Sequence, residues 1–277
     1  MRISALFLLF AFTGMPLLAE DGHNLWLRNK STGNVTVVCQ KSSPTLSIAI
    51  DELKNGWQGK DNGTVVLLVK KDKAISNDGF RITADGIQAN TDLGILYGVY
   101  ELLRRQQTGE PVVSMVSNPS YEVRTLNHWD NPDGTIERGY AGYSIFWRKG
   151  DDSLTVTGAD RLLWKEYARA SASVGINGAV LNNVNASPLI LTVDYLSRVK
   201  AIADVLRPYG IKVYLSVKFS SPSQIGGLKT SDPLDPLVIK WWQDKIKEIY
   251  AAIPDFGGFL VKASSEGQPG PQDYGRT

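Results

Sequence analysis

Cysteine is nearly absent: the 277 residues contain one, Cys39, so no internal disulfide can brace the fold. Histidine is almost as scarce, and His23 and His128 lie far apart without neighbouring ligand residues, which argues against a structural zinc site. Neither sign of charge dominates, because 30 Lys and Arg face 28 Asp and Glu for a formal net charge of +2, and the basic residues are scattered. Such a distribution lacks the electrostatic footprint of a nucleic-acid-binding surface. Long apolar runs are confined to residues 3–18. What the chain does have is 43% hydrophobic and 21% charged residues, which is the material of one large core or two smaller ones rather than of a disordered chain.

The N-terminal apolar run follows Arg2 and is succeeded by Ala19 and the acidic pair Glu20 and Asp21, the order of an n-region, h-region and small-residue cleavage site. It is shorter than the roughly 20 residues of a spanning helix, and Gly14 and Pro16 interrupt its end. Residues 1–19 therefore read as a signal peptide. The expectation is export to the periplasm or the medium, with no membrane association after cleavage.

From 34 to 87 the text is strand-like, with apolar stretches at 35–39, 64–69 and 79–83 separated by Gly, Asn and Asp. Over 92–105, Leu93, Leu96, Tyr97, Tyr100 and Leu103 recur at helical spacing, which predicts an amphipathic helix covering a sheet. Residues 109–119 hold two prolines and no helical period, the best boundary of an N-terminal α+β domain spanning 20–119. Beyond it strands and helices alternate: strand 123–126, helix 160–173, strand 178–181, helix 194–206, strand 211–217, helix 237–253 and strand 258–261. Alternation of this kind means a parallel sheet with right-handed crossovers. Thr157 and Asp160 have capping-box spacing, and Trp241, Trp242 and Tyr250 read as packing residues. A (β/α)8 barrel takes about 250 residues, so 120–277 has room for only four β/α units. The expectation is the first half of a TIM barrel at the front of a longer protein, with a small four-stranded α/β sheet as the alternative.

In parallel α/β sheets the chemistry sits beyond the carboxyl ends of the strands. After the first strand comes a loop dense in Trp129, Asp130, Asn131, Asp133, Glu137 and Arg138. Asx turns account for Asp133 and Gly134 but not for Trp129. A tryptophan among carboxamides and carboxylates suits a sugar, which has an apolar ring face to stack and a rim of hydroxyls to bond. Asn182, Asn183 and Asn185 follow the second strand, and Lys218 follows the third. After the fourth, Lys262 and Glu266 share a face if the extended path continues; a plain ion pair fits that spacing equally well.

The runs Asn-His-Trp-Asp-Asn at 127–131, Glu-Arg-Gly-Tyr-Ala-Gly at 137–142, Gly-Ile-Asn-Gly at 175–178, Leu-Asn-Asn-Val-Asn at 181–185, Asp-Pro-Leu-Asp-Pro at 232–236 and the stretch 257–271 closely resemble the α-glucuronidases of glycoside hydrolase family 67. The helix at 94–104 looks like that of the α+β domain preceding the barrel in these and related glycosidases. The resemblance implies hydrolysis of α-1,2-linked glucuronic acid, or its 4-O-methyl ether, from the non-reducing terminal xylose of glucuronoxylan-derived oligosaccharides, by inversion and without metal or cofactor. It makes Glu266 the general acid and Lys262 a holder of the uronate carboxylate. Trp129, Asp130, Asn131, Arg138, Asn183 and Asn185 become substrate-binding candidates. Two positions depart from the family, which usually has asparagine where this chain has Lys218 and Ser264.

Inverting hydrolysis needs two carboxyl groups about 6.5 to 9.5 Å apart, and in the family the general base comes from later strands. Asp130 and Glu137 are the nearest substitutes but match binding-loop positions. The expectation is therefore a chain inactive by itself, with a non-catalytic carbohydrate-binding fragment as the competing reading. A homodimer of the longer protein is left open.

Overall fold

A computed structural model of the chain describes residues 24–148, 154–185, 187–262 and 270–275. The leader expected at 1–19 and the general-acid candidate Glu266 lie outside the described residues.

The N-terminal part is a mixed five-stranded sheet in the order β1-β2-β4-β3-β5, built from β1 (Val35–Cys39), β2 (Gly63–Val69), β3 (Phe80–Ile82), β4 (Gly86–Ala89) and β5 (Met115–Ser117). β1, β2 and β4 run parallel, and β3 is antiparallel to β4 and β5. Gly86 starts β4 at φ 152°, so close to the Val66 backbone that a Cβ would collide with it. Two helices cover this sheet, α1 (Pro44–Gly56) and α2 (Asp92–Thr108).

α1 corrects the expectation that 34–87 is strands and turns alone. Ser43 caps it by accepting from the Leu46 amide, Pro44 occupies the first turn, and Leu46, Ala49 and Leu53 are buried at i, i+3 and i+7. The β-branched Ile48 and Ile50 between them mimic strand alternation, which hid the helical period. α2 agrees with the predicted helix: Thr91 caps it, Gly109 ends it at φ 70°, and Ile95, Leu96, Val99 and Leu103 are buried.

The second sheet is parallel throughout, in the order β6-β7-β8-β9, from β6 (Thr125–Asn127), β7 (Gly178–Val180), β8 (Lys212–Lys218) and β9 (Gly258–Lys262). The crossovers carry α3 (Gly158–Ser173) between β6 and β7, α4 (Val193–Leu206) between β7 and β8, and a short α5 (Ser221–Ile225) followed by α6 (Pro236–Ala252) between β8 and β9. The capping box is present at α3, with Thr157 and Asp160 serving each other's backbone amides. Trp241 and Trp242 are half-buried against the core, whereas Tyr250 is 40% exposed and rests edge-on against Phe256.

One hydrophobic cluster runs through both sheets, from Leu46, Ile95 and Leu103 to Trp164, Leu181, Val199 and Leu215. Polar contacts join the two parts: Arg169 donates to both carboxylate oxygens of Glu52 at 2.5 and 2.8 Å, Arg124 donates to Asp78 at 2.6 Å, and Trp26 donates to Ser173 at 3.1 Å. Among the described residues, no helix is long and apolar enough to cross a membrane.

Candidate active site

Because β6 to β9 are parallel, their carboxyl ends open on one side, and the β6–α3 and β7–α4 loops meet there. The β6–α3 loop is folded on itself by an antiparallel bridge between Asp130 and Ile136, by Asn131 donating from its amide to Thr135 O at 2.8 Å and from Nδ2 to Thr135 Oγ1 at 3.0 Å, and by the Asx turn in which Asp133 accepts from the Thr135 amide at 2.9 Å. This backbone pairing brings Glu137 beside Trp129, whose carbonyl accepts from the Glu137 amide at 3.0 Å. The Arg138 guanidinium lies 5.4 Å from the Trp129 ring centroid, and Trp129 remains 42% exposed.

Glu137 joins the two loops. Asn183 Nδ2 donates to its carboxylate in a close contact, and Asn185 Nδ2 sits 3.4 Å from both of its oxygens. Asn183 in turn accepts the Asn185 amide at 3.0 Å and donates its own amide to Asp130 O at 2.7 Å. The neighbouring Asn182 faces inward, accepting from the Ser216 amide at 2.9 Å and donating to Ser216 O at 3.0 Å, and so ties the ends of β7 and β8 together.

Asp130 lies beneath this surface, 4% exposed, and accepts from Ser144 Oγ. Burial raises its carboxyl above the ordinary value, against the lowering effect of Ser144. His128 is half-buried alongside, with Nε2 2.8 Å from the Tyr167 hydroxyl and its ring edge-on to Phe146. Burial holds its imidazole below the usual range, although the nearby Asp130 pulls the other way. Ser144 also accepts the Phe146 and Trp147 amides at 3.0 Å, and Trp147 donates from its indole to Leu181 O at 2.9 Å. The loop is thus fastened to the β7 end from below, leaving Trp129 and Arg138 at the surface.

The ladder between β8 and β9 sets Lys218 opposite Lys262, so two lysines occupy register-matched positions at adjacent strand ends. Of the sequence candidates, Trp129, Asp130, Asn131, Arg138, Asn183 and Asn185 come together in the two loops, Lys262 ends β9, and Glu266 is outside the described residues. Glu137 and Asn182, which the sequence places at the strand ends without a binding role, and Ser144, which it does not single out, are the connecting groups. Among the described residues, no cluster of three or more His, Cys, Asp or Glu could hold a metal ion. An exposed tryptophan under a guanidinium, rimmed by carboxamides, offers a stacking face and hydrogen-bonding groups for a polyhydroxy ring.

The sequence profile of the glycosyl hydrolase family 67 middle domain matches residues 103–277. The chain belongs to glycoside hydrolase family 67. Alpha-glucuronidase A of Aspergillus tubingensis is 37% identical to this family-67 chain, across 100% of the chain and 37% of its own length. The Neosartorya fischeri protein named probable alpha-glucuronidase A is 41% identical, across 94% of this chain and 35% of its own. The chain therefore spans little more than a third of the length of these curated relatives. Among solved structures, a GH138 enzyme targeting pectin rhamnogalacturonan II superposes with a TM-score of 0.53 over 82% of this chain and 30% of that one, at 18% identity, a likeness of fold alone.

Proposed function

We propose that this chain is the front part of an exported, exo-acting α-glucuronidase that removes α-1,2-linked glucuronic acid, methylated at O4 or not, from the non-reducing terminal xylose of xylo-oligosaccharides. The second sheet is the first half of its (β/α)8 barrel. The observation that carries this reading is the exposed Trp129 ring held under Arg138 beside the Glu137, Asn183 and Asn185 network at the strand ends. The relatives named alpha-glucuronidase support the choice of glycosidic bond. In this reading the sugar stacks on Trp129, the rim carboxamides order its hydroxyls, and Lys262 pairs with the uronate carboxylate. Lys218, its register partner, adds a second cation near the same group.

Hydrolysis then proceeds by inversion. Glu266, as general acid, delivers its proton to the glycosidic oxygen as the anomeric C–O bond breaks, and a carboxylate on the opposite face takes a proton from the attacking water. A cation beside Glu266 disfavours the protonated acid; the bound uronate, by pairing with Lys262, cancels that field. Asp130 is buried against Ser144 and Glu137 is engaged by two asparagines, so neither is open to act as base. The proposal assigns that role to a residue from a later barrel strand.

Calorimetry with an aldouronic acid, run beside an assay for released glucuronic acid, tests this on the 277-residue chain. Binding without release is expected, lost in Trp129→Ala and weakened in Lys262→Ala. Unchanged affinity in both variants would remove the uronate site from this face, and release of glucuronic acid would show that the base lies within this chain.

A further inference from the structure

At the opposite, amino-terminal ends of the parallel strands lies a cleft of about 450 Å³ between the two sheets. It is walled by Trp26, Phe80, Tyr97 and Tyr100 and carries Asp78 and Arg124. Its volume is that of a small-molecule site. Among the described residues, five buried side-chain polar atoms have no hydrogen-bond partner, and three of them, Asp78 Oδ1 and the Tyr97 and Tyr100 hydroxyls, belong to this lining. Asp78 and Tyr97 are themselves 9% and 8% exposed. Unpartnered buried groups of this kind are costly unless a ligand or water completes them.

The remaining charges are already matched. Arg124 spends its donors on Asp78 Oδ2 at 2.6 Å and on the carbonyls of Gly175 and Tyr121, with its guanidinium 5.7 Å from the Tyr97 centroid. Arg104 in the same lining pairs with Glu101 at 2.9 Å. With no spare cation or anion, the cleft selects against charged ligands. It offers aromatic faces, one acceptor-only oxygen and two phenols, Tyr97 and Tyr100, that can donate or accept. We infer that this cleft is a second carbohydrate site, taking a neutral sugar with its ring against the aromatic wall and a hydroxyl donating to Asp78 Oδ1; the choice of xylose as that sugar rests on the function proposed above. It stands apart from the strand-end face on which the glucuronidase reading rests.

The test is a protein-observed NMR titration of the Trp129→Ala chain with D-xylose and with glucuronate, followed at the Trp26 indole N–H, whose signal Trp26→Phe identifies. Saturable shifts with xylose and none with glucuronate are expected. Tyr97→Phe, which removes only an unpartnered hydroxyl, should weaken xylose binding about fivefold without lowering the unfolding midpoint of the sugar-free chain. No saturable xylose shift overturns the proposal. So does a Tyr97→Phe chain that melts lower while binding xylose unchanged, because the hydroxyl then serves a bound water. A glucuronate response equal to that of xylose rejects the neutral-sugar assignment.

Discussion

Single residues at the strand ends divide into those that meet solvent and those that hold them in place. In the assembled enzyme, Glu266→Gln should lower turnover of xylo-oligosaccharide substrates by about 10² to 10⁴. A glucuronide with a good leaving group, which needs little protonation, should lose less; equal losses on both substrates would remove Glu266 from the acid role. Beneath the loop, burial holds the His128 imidazole below its ordinary value of 6.5, against the opposing pull of Asp130. The folded state therefore binds fewer protons there than the unfolded state, and stability falls as pH drops below about 6.5 toward the folded value. Asp130 acts oppositely, since a carboxyl raised above 3.8 by burial favours the folded chain on acidification toward that value. Urea midpoints for wild type and His128→Gln measured between neutrality and pH 5 should converge at the acid end; a constant offset would place the titration elsewhere.

Secondary-structure elements matter to the site through their ends. α3 begins at the Thr157–Asp160 capping box, and Arg148 reaches back from the β6–α3 loop to donate to Thr157 at 2.7 Å and to Asp160 Oδ1 at 3.0 Å. Burial opposes ionisation of Asp160, but the Arg148 and Thr157 hydrogen bonds prevail and hold its carboxyl down at about 2. The start of the helix is thus also an anchor for the loop that carries Trp129 and Arg138. Thr157→Ala should cost about 1 to 2 kcal/mol in denaturant unfolding, and in a binding assay it should weaken sugar affinity although Thr157 lies outside the strand-end network. The expected loss of stability with unchanged affinity would separate the cap from the loop.

Across the whole molecule, the two sheets share one hydrophobic cluster and the bidentate Glu52–Arg169 pair, in which Glu52 is 7% exposed. Removing one partner strands the other, so Arg169→Leu should destabilise by about 3 to 5 kcal/mol. The double variant Glu52→Leu/Arg169→Leu should recover most of that loss, because no buried charge is left alone. Both sheets should unfold in one transition when followed by circular dichroism and by tryptophan fluorescence; separate midpoints would show that the interface does not couple them.

Helix and strand periods are local signals, and where one period ran unbroken the chain declared its element: the α2 stripe of Leu96, Tyr100 and Leu103, and the alternation from β6 to β9, were legible in the amino-acid order. α1 was not, because Ile48 and Ile50 overlay a two-residue alternation on a helical stripe whose clearest marker was Ser43 followed by Pro44. The site was legible as residue types, since Trp129, Arg138, Asn183 and Asn185 stand out in polar loops and the family motifs contain them. Their roles were decided only in three dimensions. Asp130 and Glu137 are both carboxylates of one loop, yet Ser144 buries the first and two asparagines some 46 and 48 positions away engage the second. The cleft lined by Asp78 and Tyr97 has no sequence signature at all, because it exists where two sheets meet. Backbone periodicity is written residue by residue, whereas desolvation and hydrogen-bond completion depend on which distant groups the crossovers bring together.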